Sequence, residues 1–164
     1  MANASVLTGA DGSLTLSTPQ GLEGELAQGV LESYDLLTVG RVQNVKVEVR
    51  SDVKAFHEIG QRYATELRHG NVHIRGTIGR AYINGALLRL MLGEGAESRP
   101  AASWPQAAFN ITLLLDNPAM PDVNNTLTLH NVKIDGWSYA VPEDDFVLEE
   151  ISFQALNLTV LDEG

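Results

Sequence analysis

The sequence predicts a mainly β fold, an antiparallel β-sandwich or barrel with one flanking α-helix. Three observations predict it. Apolar and polar residues alternate through much of the chain, the period-2 signature of half-buried strands. Turn-forming residues break that alternation at short intervals. A single stretch, Gly85-Ala86-Leu87-Leu88-Arg89-Leu90-Met91-Leu92, has the apolar density and the flanking signals of a buried helix.

Gly12-Ser13-Leu14-Thr15-Leu16-Ser17-Thr18 gives a short first strand closed by Pro19. The stretch from Pro19 to Gly40 fits no compact element, yet it carries Leu22, Leu26, Val30, Leu31, Tyr34, Leu36 and Leu37. A polar loop does not hold so many large apolar groups. Residues 19–40 are therefore read as an extended interface loop that folds onto its own core or covers a neighbouring subunit, and these seven residues are the interface candidates.

In Asn44-Val45-Lys46-Val47-Glu48-Val49-Arg50 three valines share one face and the polar residues the other, which makes it the clearest strand. Asn71-Val72-His73-Ile74-Arg75-Gly76-Thr77-Ile78 repeats the pattern after a turn signal at His69-Gly70. The predicted helix has Asn84 as its N-cap and stops at Gly93. Residues 94–105 are small and polar and read as a flexible loop. Phe109 to Leu115 forms a further strand, ended by Asp116-Asn117-Pro118.

The run Thr126 to Ile134 changes phase, Leu127 and Leu129 being odd and Val132 and Ile134 even, so a β-bulge is expected near Asn131. Trp137 to Val141 continues that strand, and Val147 to Val160 reads as one long final strand region.

At 164 residues the chain reads as a single domain over 1–164, long enough to bury an ordinary core without a covalent staple. It has no cysteine, which excludes disulfides, cysteine zinc sites and thiolate chemistry. No apolar run approaches the ~18 residues of a membrane-spanning helix, and the first residues lack a secretory pattern, so a cytoplasmically made protein is expected. The net charge of -10 is unevenly spread: residues 1–40 carry -5, residues 41–99 carry +4 and residues 100–164 carry -9. An acidic chain is poorly suited to gripping nucleic acid by its backbone phosphates. The uneven halves suit surfaces that meet in self-assembly.

Catalytic and ligand motifs do not emerge. His57, His69, His73 and His130 lack metal-ligand spacing, and His69 and His73 do not share a face. There is no GxSxG elbow and no glycine-rich phosphate loop. Glu143-Asp144-Asp145 with Glu149-Glu150 could attract a hard cation, but a solvated turn is the better reading. No enzyme activity, cofactor, metal or small-molecule substrate is expected. A carbohydrate-binding β-sandwich with Trp104 or Trp137 as a stacking platform is an alternative, thinly supported by two Trp and four Tyr.

Three stretches together resemble one family. They are Val45-Lys46-Val47-Glu48-Val49-Arg50 followed by Phe56-His57-Glu58-Ile59-Gly60-Gln61-Arg62, then Glu66 through Leu88 with Ile74-Arg75-Gly76-Thr77-Ile78-Gly79-Arg80-Ala81, and finally Val141 through Ala155 with Pro142-Glu143-Asp144-Asp145 and Phe153. Their content and order resemble the tail tube proteins of tailed bacteriophages, over roughly residues 41–92 and 126–160. The resemblance implies six copies closing into a ring and rings stacking into a hollow conduit for DNA delivery, with type VI secretion tubes and other contractile injection systems as the alternative machine. It implies partners: the chain itself, tape measure, baseplate and tail terminator proteins, a sheath as a further candidate, and double-stranded DNA as cargo that passes without specific binding. It places the protein in a virion tail assembled in the bacterial host cytoplasm. Inner-wall strands would be 41–51 and 71–81, so Asn44, Lys46, Glu48, Arg50, His73 and Arg75 are candidates for a polar face turned to the lumen or to a neighbouring subunit, with the basic groups expected to meet acids across subunit contacts.

Overall fold

The computed structural model describes residues 7–35, 38–116 and 124–163. Seven strands and two α-helices follow one another as β1 (Gly12–Ser17), α1 (Leu22–Tyr34), β2 (Val42–Phe56), β3 (Glu66–Ala81), α2 (Ala86–Leu92), β4 (Phe109–Asp116), β5 (Asn124–Ala140), β6 (Leu148–Ala155) and β7 (Asn157–Glu163). The strand order is β1-β4-β5-β6-β3-β2, with β7 also on β5, and all pairings are antiparallel. The fold class is the one expected from alternation: a mainly β, curled antiparallel sheet flanked by helix.

β5 belongs to two sheets. Its first part pairs with β4 and β7, and from Lys133 onward it pairs with β6. Between them, β5 advances three residues, from Leu129 to Val132, while β4 advances two, from Ile111 to Phe109. The extra residue is the expected bulge, and Asn131 occupies the left-handed region at φ 52°. Its N–H is satisfied at 3.1 Å by the Asn110 side-chain oxygen. The result is one sheet of β1, β4, early β5 and β7, and a second of late β5, β6, β3 and β2.

Leu14, Leu16, Phe109, Ile111 and Leu129 from the first sheet share a core with Ile78, Ile134, Ile151 and Phe153 from the second. Ala27 and Leu31 of α1 and Ala86, Leu87 and Leu90 of α2 complete it. Within the second sheet, β2 and β6 come so close to Gly76 of β3 that a Cβ there would sit 2.2 Å from the Lys46 carbonyl oxygen and 2.7 Å from the Phe153 ring. Glycine there lets the ring lie directly on the backbone.

Helix α1 corrects the reading of 19–40 as an extended loop. Its apolar residues 22, 26, 27, 30, 31 and 34 follow the i, i+4, i+8 spacing of an amphipathic helix. No side chain caps its N-terminus, where Gly21 precedes the first turn, and Asp35 rather than glycine takes the left-handed C-cap position. Glu23 and Glu25 complement the N-terminal dipole. Gly24 is required because a Cβ would fall 1.9 Å from the Pro19 carbonyl oxygen.

Other boundaries also move. His69-Gly70 is not a turn: β3 begins at Glu66, and the pair lies where β3 bulges against Ser51 and Val53. The final strand region is two strands, broken at Leu156, whose N–H donates to the His130 carbonyl. Residues 94–105 begin as a 3-10 turn over Gly93–Ala96 and are tied down where the Trp104 indole N–H donates to the Leu92 carbonyl at 2.7 Å.

Candidate assembly surfaces

The alternation of β2 and β3 places one polar face across the second sheet. Asn44 lies opposite Gly79, Lys46 opposite Thr77, Glu48 opposite Arg75 and Arg50 opposite His73. The face continues onto β6 through Glu150, Ser152 and Gln154, which oppose Gly79, Thr77 and Arg75. All six polar candidates therefore lie together on one face. Residues not singled out in sequence extend it: Asp52 and Lys54 because the alternation of β2 runs on, Arg68 and Glu66 because the β3 bulge between Val72 and His69 brings even positions onto the face, and Asp135 through its bonds to β6.

The charges on this face are matched within one chain. Glu48 Oε1 lies 2.6 Å from Arg50 Nε and 3.8 Å from Arg75 Nη2, as charge contacts rather than aligned hydrogen bonds. His73 Nε2 is 3.2 Å from Asp52, and Arg68 pairs with Glu66 at 2.8 Å. Asp135 accepts hydrogen bonds from Ser152 at 2.6 Å and Gln154 at 2.9 Å, which hold its carboxyl below the usual carboxylate range, with Arg75 adding a smaller pull. Among the described residues Lys46 makes no ion pair. With Lys133, which opposes Gln154 beside Asp135 and pairs with Glu23 of α1, the bases Lys46, Arg50, Lys54, Arg68, Arg75 and Lys133 number six against the five acids Glu48, Asp52, Glu66, Asp135 and Glu150. The face is close to neutral in a chain of net charge -10.

Both lateral edges of this sheet are open among the described residues. β2 pairs only with β3, and β5 from Lys133 to Ala140 pairs only with β6. At the β5 edge the Gln106 side-chain amide donates to the Ile134 carbonyl at 2.9 Å. Beside it opens a cleft of about 770 Å³ lined in part by Trp104, Lys133 and Asp135.

The β2–β3 hairpin outruns its sheet. β6 stops pairing with β3 at Ile74, so residues beyond Arg50 and before His73 form a two-stranded arm. From Arg50 to Phe56 the arm spans roughly 20 Å. Val53, Leu67 and Val72 are exposed along it, and Ile59 and Tyr63 at its tip are 107% and 86% exposed. At the opposite end of the same sheet, where Ala81, Leu148 and Ala140 lie side by side, Tyr82, Trp137 and Tyr139 form an aromatic cluster with centroids 4.8 to 6.5 Å apart. Val141 and Phe146 stand exposed beside it.

The interface candidates on α1 divide. Leu31 is fully buried in the chain's own core, Val30 and Tyr34 pack against that core, and Leu22 and Leu26 remain exposed, Leu22 at 61%. Leu36 and Leu37 lie outside the described residues. Trp137 is half-buried and its indole N–H donates to Glu149, while Trp104 is held by Leu92. Glu149 is wholly buried against Arg80, which removes it from the acidic cluster. Among the described residues no three His, Asp or Glu side chains converge as metal ligands.

No protein-family model matches the sequence, and no curated protein matches it significantly. Solved structures do match in fold. A chain of the sheath/tube terminator of PVC, an extracellular contractile injection system, superposes with a TM-score of 0.65 at 12% identity, over 98% of this chain and 99% of that one. A chain of the PVC sheath-tube complex gives 0.64 at 11% identity, over 97% and 93%. The SPP1 tail tube gives 0.57 at 14% identity, over 97% and 80%. The overall fold of this chain is thus similar to that of tube proteins of phage tails and contractile injection systems.

Proposed function

We propose that the chain is a non-enzymatic, structural protomer that polymerises into a hollow tube. The observation that supports it best is a four-stranded sheet with one continuous polar face and two open edges, set in a fold shared along nearly the whole chain with tube proteins. An open edge presents unpaired N–H and C=O groups and is stable in water only if covered or paired. When the β2 edge of one copy meets the late β5 edge of the next, the contact is heterologous, and repeated rotation closes it into a ring. Six copies per ring is the expected closure. The polar faces then line the bore, and their paired charges give cargo no net electrostatic grip.

In a phage tail the bore passes double-stranded DNA, and the protomer sits in the virion tail with tape measure, baseplate and terminator proteins at its ends. A sheath outside the tube belongs to the contractile version. Electron microscopy of the purified chain over rising concentration tests the reading. Hollow rings or tubes are expected; monomers at every concentration overturn it.

A further inference from the structure

We infer that Arg41 of one copy and the acidic turn Glu143-Asp144-Asp145 of its neighbour in the same ring form a charge lock that fixes how their sheet edges slide past each other. This rests on the tube reading and adds to it the residues that set the register of the lateral contact.

Arg41 is costly where it stands. It holds the left-handed region at φ 61°, where a Cβ crowds the backbone, while Gly40 beside it does not take that region. The bond made there, from the Ala81 N–H to the Arg41 carbonyl at 3.1 Å, uses the backbone alone, and glycine would make it equally well. What glycine cannot supply is the cation. Arg41 is exposed at the start of the open β2 edge and makes no ion pair among the described residues. No acid lies between Thr38 and Val47.

Strand order determines what meets it. β2 runs antiparallel to β3, β3 to β6 and β6 to late β5, so the two open edges run in opposite directions and their meeting continues the antiparallel order. One row crosses the base of the sheet through Arg41, Ala81, Leu148 and Ala140. Arg41 ends that row at one edge and Ala140 at the other. Joining the edges brings the residues just beyond Ala140 towards Arg41 of the next copy. Residues 141–146 are exposed there and carry Glu143, Asp144 and Asp145 with no base. None of these acids makes an ion pair in its own chain among the described residues. The pleat alone does not fix the register, because a slip of two residues returns every side chain to the same face. That slip moves the charges apart by roughly 7 Å, so the ion pair opposes it.

Full-chain variants, followed by electron microscopy over rising concentration, test this. Arg41→Gly is expected to raise the melting temperature of the dilute protein, because glycine relaxes the left-handed position, yet to form rings only at a concentration about tenfold higher or more. Arg41→Glu, and separately Glu143→Lys with Asp144→Lys, are each expected to form no rings, since like charges then meet. All three positions are exposed, and unchanged melts of the charge variants confirm folding. Their equimolar mixture is expected to recover rings at the wild-type concentration, the two chains alternating around an even-numbered ring. Rings from Arg41→Gly or Arg41→Glu at the wild-type concentration, an Arg41→Gly chain that melts lower than wild type, or a mixture without rings overturns the inference. Charge variants that form single rings but no tubes put the acidic turn between layers and overturn it too. Wild type that forms no rings at any concentration removes the tube reading and this inference with it.

Discussion

Arg80 and Glu149 form the one buried ion pair among the described residues, 2.5 Å between Nε and Oε1, with side chains 2% and 0% exposed. Trp137 donates to the other carboxylate oxygen at 2.8 Å, but Arg80 Nη2 has no partner. Removing half of such a pair strands a charge in the core. Glu149→Ala is therefore expected to cost about 3–5 kcal/mol in urea unfolding, whereas replacing both partners with apolar residues of similar volume is expected to be nearly neutral. The exposed Asp135 is a different case. Its carboxyl is held below its ordinary value of 3.8 by Ser152 and Gln154, so the unfolded chain binds the proton more readily. Its stabilisation is present above 3.8 and fades as pH falls through the depressed value. Asp135→Asn is expected to flatten the stability profile there by lowering stability at neutral pH while leaving the acid end nearly unchanged, which unfolding titrations at stepped pH will check.

Among the elements, strands were legible because alternation is written directly by the pleat: the valines of β2 and the phase slip before Asn131 both have their structural counterparts. Helix α1 was not, although its apolar spacing was helical. Gly24 and Gly29 lower its intrinsic propensity, and it lacks both a side-chain N-cap and a glycine C-cap. The break between β6 and β7 had a signal too, since apolar positions pass from odd Phe153 to even Leu158. The polar face was read as six residues because alternation fixes a face; its extension to Asp135 needs the spatial pairing of β5 with β6. α1 also changes what a deletion means. Excising 20–38 removes Ala27 and Leu31 from the core, so the truncated chain is expected to unfold rather than remain a soluble monomer. Leu31→Ala is expected to cost about 2–5 kcal/mol, and Leu22→Ser to leave the melting temperature within experimental error while altering only contacts between copies.

At the scale of the whole molecule, the positive middle of the sequence resolves into two uses. Part of it balances acids on the polar face, and part is paired elsewhere, Arg80 with Glu149 in the core and Arg89 with Glu97. The surplus negative charge lies elsewhere on the protein. The proposed bore, close to neutral, and the acidic remainder of the chain together predict that assembled particles leave linear DNA unretarded in a gel at ionic strength near 0.15 M, where the Debye length is about 8 Å. Retardation that disappears with added salt would point instead to exposed cations on the assembly.

The bulge at Asn131 lets one chain segment serve both sheets. A force along the polar sheet passes through β5 into the other sheet by covalent bonds, without relying on side-chain packing to carry shear. The two layers must then strain together, as the faces of a welded beam do, and bending stiffness rises with the spacing between them. Cutting the backbone at 131 would leave the same side-chain contacts in place and yield a softer protomer.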